Sequence, residues 1–270
     1  MGEGTVRRTA PPKWTFRMAG LVIKRPNHGV WRPQVPDIAS SARCCRADDA
    51  NVCSTARFRL LGPLVVVRDD APVRLGRGKR RSLLALLLLH ANEVVSQDRL
   101  IDALWGERAP AAPRTALQVL VSELRKPLGA DRIVTTASGY VLNVAPAEID
   151  AAEFAHLLAS AEQALAAGDA QKAEERLREA LALWRGPPLQ DFAYEEFAQP
   201  EIARLEELRL QAEEQLVDAE LAQGRGGELV PRLEALIAGH PLRERLRGQL
   251  RALWGAGRRA HPDFRPSASR

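Results

Sequence analysis

The sequence is poor in the residues on which disulfide-bonded, metal-binding and membrane-spanning proteins depend. Its three cysteines, Cys44, Cys45 and Cys53, lie close together, so residues 54–270 have none. A disulfide framework is therefore excluded for most of the chain, and three cysteines without an adjacent histidine match no common zinc motif. No apolar run approaches the roughly 20 residues of a membrane span, and the N-terminus lacks the apolar stretch of a signal peptide. We expect a cytoplasmic protein without a metal or a membrane segment.

Catalytic motifs are missing as well. The histidines are scattered, and the sequence contains no H-E-x-x-H, G-x-S-x-G or dinucleotide-binding glycine motif. The stretch Gly76-Arg77-Gly78-Lys79 is similar to part of a phosphate loop. However, Arg80 follows the lysine where Ser or Thr is required, and Val73 stands at the place of the first glycine. We expect no enzymatic activity, no nucleotide site and no cofactor.

Net positive charge is confined to the front half of the chain. Residues 1–56 carry 9 Lys or Arg and 4 Asp or Glu, and residues 57–149 carry 14 and 9, so each segment has a net charge of +5. Residues 150–270 carry 16 and 21, a net charge of −5. A basic segment favours a polyanion as its partner, because its cations neutralise phosphates and release counterions. We therefore expect nucleic acid to contact the front half and not the acidic rear half.

Two terminal segments lack the periodic apolar positions of helices and strands. Residues 1–56 are interrupted by prolines and carry scattered arginines, which predicts a disordered basic leader. Residues 256–270 are rich in Pro, Arg and Ser, and we expect a disordered tail there. The intervening chain is long enough for two domains with their own cores, and its pattern changes near residue 150.

Residues 57–149 show the order sheet, helix, helix, loop, helix, hairpin. The sheet is predicted from strand residues between Arg57 and Leu75, with a break at Gly62-Pro63 and a turn at Asp69-Asp70. The first helix spans Lys79–Ala91 and is buried, and the second is capped by Ser96 and ends at Gly106. The third helix has Pro113 in its first turn, and the hairpin spans residues 133–144. This order predicts an α+β winged helix-turn-helix domain, in which the third helix is the recognition helix and the hairpin is the wing.

The third helix, over Pro113–Leu128, has one apolar and one polar face. Helical spacing places these residues in an apolar stripe: Leu117, Leu120, Val121, Leu124 and Leu128. The outward residues are Thr115, Val119, Ser122 and Lys126, flanked by Gln118, Glu123 and Arg125. An ordinary surface helix would also fit this pattern, but the elements on either side favour a helix that enters the DNA major groove.

Each outward residue type suits a particular contact with DNA. Gln118 can pair with adenine through two hydrogen bonds, and Val119 can cover a thymine methyl group, with Thr115 and Ser122 beside them. Arg125 and Lys126 lie near the helix end, where we expect contacts with phosphates. Arg114 at the helix start, and Arg132 and Tyr140 in the hairpin, complete the predicted DNA-binding residues.

Residues 150–255 are wholly helical in pattern. Asp150 is expected to cap a helix that contains Phe154 and Leu165, and Gly168-Asp169 separates it from a second helix ending near Trp184. A longer helix begins near Pro200, and a further pair precedes Gly255. Short antiparallel helices with alanine at close contacts predict an all-α tetratricopeptide-like domain, an architecture that binds partners far more often than it catalyses.

Several segments together resemble the Streptomyces antibiotic regulatory proteins. The segments are R-F-R-L-L-G-P-L (57–64), L-I-D-A-L-W-G (100–106), L-Q-V-L-V-S-E-L-R-K (117–126) and S-G-Y-V-L (138–142), with A-G-D-A-Q-K-A-E-E-R-L-R-E-A-L-A-L-W-R-G (167–186) and H-P-L-R-E-R-L-R-G-Q-L (240–250) similar to that family's bacterial transcriptional activator domain. The resemblance implies an OmpR-type winged helix and a transcriptional activator that binds direct repeats in double-stranded promoter DNA. It also implies self-association on tandem repeats and recruitment of RNA polymerase, often at secondary-metabolite genes such as those for antibiotics.

Two features depart from the family pattern. Glu123 is acidic where a helix close to phosphates more usually has a basic residue, and the chain stops before a further helix of the last repeat. Two alternatives therefore stay open: a helical protein-interaction scaffold, or a truncated regulator that binds DNA without activating.

Overall fold

The structure is a computed structural model that describes residues 56–260, with side chains described up to residue 255. The predicted leader up to residue 55, with its three cysteines, and residues 261–270 lie outside the described residues. In chain order the strands and helices are β1 Ala56–Arg59, β2 Val65–Arg68, β3 Ala71–Pro72, α1 Lys79–Leu89, β4 Val95–Ser96, α2 Gln97–Trp105, α3 Pro113–Leu128, β5 Ile133–Thr135, β6 Gly139–Leu142, α4 Asp150–Ala166, α5 Ala170–Ala182, α6 Gln199–Ala222, α7 Val230–Gly239 and α8 Glu244–Ala260.

The first sheet is an antiparallel meander in the order β1-β2-β3. Phe58 lies opposite Val66, and both side chains are buried in the main hydrophobic cluster. Asp69 and Asp70 both have positive φ, which makes the predicted tight turn between β2 and β3. The return strand is Ala71–Pro72 and ends before Val73 and Leu75, with which the sequence predicted it to begin.

The second sheet has the order β4-β6-β5 and contains the predicted wing hairpin. Strand β4 was not predicted, since two residues are too few to show an alternating pattern, and it pairs Val95 with Tyr140 and Ser96 with Gly139. A Cβ atom on Gly139 would lie 1.9 Å from the carbonyl oxygen of Val95, so only glycine permits this pairing. Ser96 also caps α2, as predicted, because its Oγ accepts a hydrogen bond from the N–H of Arg99.

The rear half is all helical, as predicted, with α4 and α5 packed as an antiparallel pair and α6 packed against both. Helix α8 runs through Ala260 and therefore past Trp254, where the sequence predicted its end, and into the expected tail. A glycine inside a helix costs only about 1 kcal/mol relative to alanine. Gly255 therefore does not end a helix that is anchored by the buried Leu246 and Leu253.

The two halves share one hydrophobic core instead of having separate ones. The same cluster contains Phe58 and Leu83 of the front half together with Phe154, Leu177 and Leu205 of the rear half. A smaller cluster lies between α6, α7 and α8. The two halves are thus packed against each other through one continuous hydrophobic cluster.

Asp150 corrects a sequence prediction, because its side chain does not cap α4. It is only 8% exposed, and its carboxylate accepts hydrogen bonds from the N–H groups of Leu60 (2.6 Å) and Leu61 (3.1 Å), where the chain leaves β1. The guanidinium of Arg185 lies 3.6 Å from the same carboxylate. Burial raises the pKa of Asp150 above its ordinary value, although these hydrogen bonds and the Arg185 charge oppose the shift.

The loop between α5 and α6 binds the same part of the front half. The N–H of Leu189 donates to the carbonyl oxygen of Leu60 (2.9 Å), and the N–H of Leu64 donates to the carboxylate of Asp191 (2.8 Å). Arg81 of α1 donates to that carboxylate as well, at 2.5 Å. The rear half therefore holds both the β1–β2 connection and the start of α1.

Candidate nucleic-acid interface

Helix α3 presents the two faces that its sequence predicts. Leu117, Val121, Leu124 and Leu128 are buried against the front half of the core, and Leu120 is half-buried. The side chains of the opposite face are exposed: Thr115, Gln118, Val119, Ser122 and Lys126. None of these five forms a hydrogen bond or an ion pair with another side chain of residues 56–260. The polar face of α3 is therefore open to a partner.

Ion pairs link α3 to both preceding helices. Glu123 lies 2.8 Å from Arg80 of α1, and Arg114 lies 3.3 Å from Asp98 at the start of α2. The first pair explains why an acidic residue is tolerated near the predicted phosphate contacts, since Arg80 neutralises it. Arg80 could not be assigned to this face from the sequence, because nothing in the local pattern connects residues that are 43 positions apart.

Arg125 points to the wing. Its Nε and Nη2 atoms donate to the carbonyl oxygen of Ile133 (3.0 and 2.7 Å), and Nη2 also donates to Oγ1 of Thr135 (2.8 Å). The predicted role of Arg125 as a phosphate contact thus competes with three hydrogen bonds inside the domain. Lys126, one position later, is exposed and keeps its ammonium group in solvent.

Two predicted wing residues, Tyr140 and Arg132, make contacts within the domain. Tyr140 is only 3% exposed, because it pairs with Val95 and Thr135 on the side of the sheet that covers the core. A buried ring cannot reach DNA, so its assignment is wrong. Arg132 forms two hydrogen bonds of 2.6 Å with the carboxylate of Glu148, which stabilises the base of the wing.

Glu148 is the centre of a small hydrogen-bonded cluster at the base of the wing. Its carboxylate also accepts a hydrogen bond from the N–H of Ala145 (2.8 Å). Burial by itself would raise the pKa of Glu148, but the hydrogen bonds from Arg132 and Ala145 and the charge of Arg132 hold it below its ordinary value. The sequence contains no local signal for this cluster.

The exposed face of α3 has the chemistry for reading a base sequence. Gln118 offers an amide donor and acceptor, and Val119, which is 52% exposed, offers methyl groups to a thymine. Lys126 at the helix end is exposed and carries a positive charge of the kind that binds phosphates. Within residues 56–260 there is no group of three or more His, Cys, Asp or Glu that could hold a metal ion. The same residues include no helix of the length and apolarity needed to cross a membrane.

Two family models match the chain. Residues 70–142 match the C-terminal domain of transcriptional regulatory proteins, and residues 149–261 match the bacterial transcriptional activator domain. The first match covers α1 to β6, including α3 and the wing, and the second covers the helical half.

Curated relatives are named as regulators. The chain is 42% identical over 206 residues to the regulatory protein AfsR of Streptomyces coelicolor, covering 76% of this chain and 21% of that protein. It is 38% identical over 210 residues to the transcriptional regulatory protein EmbR of Mycobacterium tuberculosis, covering 76% of this chain and 54% of that protein. It is 36% identical over 214 residues to the regulatory protein DnrI of Streptomyces peucetius, covering 75% of this chain and 79% of that protein. The chain thus spans only part of AfsR and about half of EmbR, but most of DnrI.

A solved structure has the same fold. Mycobacterium tuberculosis EmbR, in complex with a low-affinity phosphopeptide, superposes with a TM-score of 0.73 at 35% sequence identity. The superposition covers 76% of this chain and 56% of the EmbR chain. The predicted fold class, a winged helix followed by a tetratricopeptide-like helical domain, is confirmed.

Proposed function

Because the chain belongs to the Streptomyces antibiotic regulatory protein family, we propose that it is a sequence-specific DNA-binding regulator that activates transcription. Its proposed ligand is double-stranded promoter DNA, and its place of action is the cytoplasm, where bacterial DNA lies. Secondary-metabolite genes are the proposed targets, as the family resemblance implies.

The observation that carries this proposal is the open face of α3. A helix that buries Leu117, Val121 and Leu124 yet leaves Gln118 and Ser122 without partners is held rigidly for contact with something else. A major groove accepts one α-helix and presents donors, acceptors and thymine methyl groups, which match these side chains. The positive charge of residues 57–149 supplies the affinity for phosphates that does not depend on sequence.

The helical half is proposed to contact protein. It carries a net charge of −5 over residues 150–270, which disfavours its lying along DNA. Stacked helix pairs provide an extended surface of the kind that binds proteins. Following the family, we assign to this half the recruitment of RNA polymerase and the pairing of copies on tandem repeats.

A binding-site selection with the full chain tests the proposal. The wild-type protein should enrich one short sequence from random duplexes. Gln118→Ala should weaken binding by about 1–3 kcal/mol and relax the preference at one base position. Lys126→Ala should weaken binding to all sequences alike and reduce the slope of log affinity against log salt by about one.

Two exposed residues of the helical half serve as matched controls. Gln163→Ala and Lys172→Ala remove the same side chains from helices outside the front half. Both variants should bind like the wild type. A wild-type protein that enriches no sequence would contradict the proposed function, and an unchanged preference in Gln118→Ala would show that α3 enters the groove differently.

A further inference from the structure

We infer that Arg125 is a positioning residue that holds the wing at a fixed place beside α3, and that it is not a phosphate contact. The inference rests on the proposed function, because it concerns how the same interface meets DNA. It assigns different roles to two adjacent cations, Arg125 and Lys126, that the sequence alone does not distinguish.

The first support is the geometry of the guanidinium. Arg125 leaves the last turn of α3 and places two of its nitrogen atoms on β5, within 3.0 Å of Ile133 O and 2.8 Å of Thr135 Oγ1. A planar guanidinium that donates to two acceptors in different residues fixes both distance and orientation. Lys126 forms no such bond with any part of residues 56–260, and its side chain is exposed.

The second support is the position of β5 at the edge of its sheet. Strand β5 pairs on one side with β6, through the N–H of Asn143 to the carbonyl of Arg132 and the N–H of Thr136 to the carbonyl of Gly139. In an antiparallel ladder the intervening residues Ile133 and Thr135 direct their backbone groups away from the partner strand. Among residues 56–260 no neighbouring strand therefore donates to the Ile133 carbonyl, and Arg125 donates to it instead.

The third support is that the base of the wing is held elsewhere. Arg132 and the N–H of Ala145 bind Glu148 there. The Asn92 side chain exchanges two hydrogen bonds with the backbone of Val144, at 2.9 and 3.1 Å. Arg125 is the side-chain link from α3 to the part of β5 that leads to the hairpin tip at residues 136–138. The β6 side of the tip is also held, because the carbonyl oxygen of Ser138 accepts a hydrogen bond from the N–H of Gln97 (3.3 Å). Loss of the Arg125 link should therefore leave the base of the wing and β6 in place and loosen β5 where it enters the tip.

The consequence for DNA binding follows from the composition of the tip. Residues 136–138 are Thr, Ala and Ser and carry no charge. If this tip contacts the DNA backbone beside the groove that α3 occupies, it can form only uncharged hydrogen bonds there. Losing one or two of these should lower affinity about tenfold. Because no cation leaves a phosphate, the salt slope should stay unchanged.

The experiment compares Arg125→Ala with Lys126→Ala in the full chain, on a duplex that carries the selected sequence. Hydroxyl-radical footprinting and affinity titrations at several salt concentrations are the two readouts. With Arg125→Ala, the DNA backbone on the wing side should lose its protection from cleavage, while the protection due to α3 remains. The slope of log affinity against log salt should equal that of the wild type. Lys126→Ala should keep the whole footprint and lose about one unit of slope.

Thr135→Val provides a test without any change of charge. It removes one acceptor of Arg125 and should weaken protection on the wing side in the same way, with the salt slope unchanged. Amide hydrogen exchange of residues 133–142 without DNA should be faster in Arg125→Ala than in Lys126→Ala, in which it should equal the wild-type rate.

Opposite results would overturn the inference. An intact footprint with a reduced slope in Arg125→Ala would make Arg125 a phosphate contact. Intact footprints in both Arg125→Ala and Thr135→Val would show that the wing does not depend on this link. Failure of the wild type to bind any DNA would reject the proposed function alone. The exchange comparison would then still decide whether Arg125 holds the wing.

Discussion

Replacing the buried Asp150 by alanine should destabilise the protein more than replacing an exposed aspartate that caps a helix. The substitution removes the acceptor for two backbone N–H groups, those of Leu60 and Leu61, which are 3% and 0% exposed. A buried donor left without a partner costs about 1–3 kcal/mol. Two such donors, if water entering the vacated space bonds them in part, lower the free energy of unfolding by about 2–5 kcal/mol.

Asp169→Ala is the matched control. Asp169 also accepts a backbone hydrogen bond at the start of a helix, from the N–H of Lys172, but it is exposed. Loss of an exposed cap of this kind costs about 1 kcal/mol. Asp150→Asn keeps one carbonyl oxygen as acceptor and should fall between the two alanine variants.

The assay is equilibrium unfolding of the full chain in urea, followed by far-UV circular dichroism. The denaturation midpoint should fall most in Asp150→Ala, with the slope of the transition unchanged. Equal midpoints in Asp150→Ala and Asp169→Ala would refute the argument that the rear half satisfies buried donors of the front half.

The pH dependence gives a second check on Asp150. Its pKa is raised in the folded protein, so the folded state binds a proton more readily than the unfolded state between the ordinary and the raised value. Stability from this group therefore increases as the pH falls through that window, and it decreases as the pH rises. The difference between wild type and Asp150→Ala should grow on acidification, and a difference that shrinks would contradict the assigned shift.

Two further substitutions test the wing. Gly139→Ala places a Cβ atom against the Val95 carbonyl and should lower the free energy of unfolding by about 3 kcal/mol, because β4 is forced away from β6. Gly248→Ala, in open space on α8, is the control and should be neutral or stabilising. Thermal unfolding of both variants distinguishes a local clash from a general effect of glycine replacement. Glu148 has a lowered pKa in the folded state, so its contribution to stability is complete above the ordinary value of 4.5 and is lost as the pH falls through the folded value. In Glu148→Gln the melting temperature should start lower at neutral pH and fall less steeply below pH 4.5 than in the wild type, and parallel curves for the two proteins would disagree with this assignment.

Local patterns in the sequence were sufficient for most of the secondary structure. Helix α3 could be predicted with its boundaries and its buried and exposed faces, because burial of one stripe repeats every three or four residues along the helix itself. The Ser96 cap and the Asp69-Asp70 turn were predictable for the same reason, since each depends on residues within a few positions. Strand β4 was not, because two residues carry no periodicity.

The exposed part of the candidate interface was equally accessible to sequence reasoning. Gln118, Val119 and Lys126 lie on the outer face, as their spacing requires. The roles of the charged and aromatic residues around them were decided only by tertiary structure. Tyr140 is buried because its strand pairs with β4, and Arg125 faces the wing because β5 leaves a carbonyl at its edge.

Asp150 shows the physical reason for this division most clearly. Its place before an amphipathic helix predicts a cap, which is the partner nearest in sequence. Its actual partners are about 90 residues away, and they lie beside it because α4 packs on the end of β1. The sequence by itself determined which residues form helices and which face each presents, since those properties are periodic and local. Only the tertiary structure decided which buried donor meets which carboxylate, because long-range hydrogen bonds follow from how the elements pack.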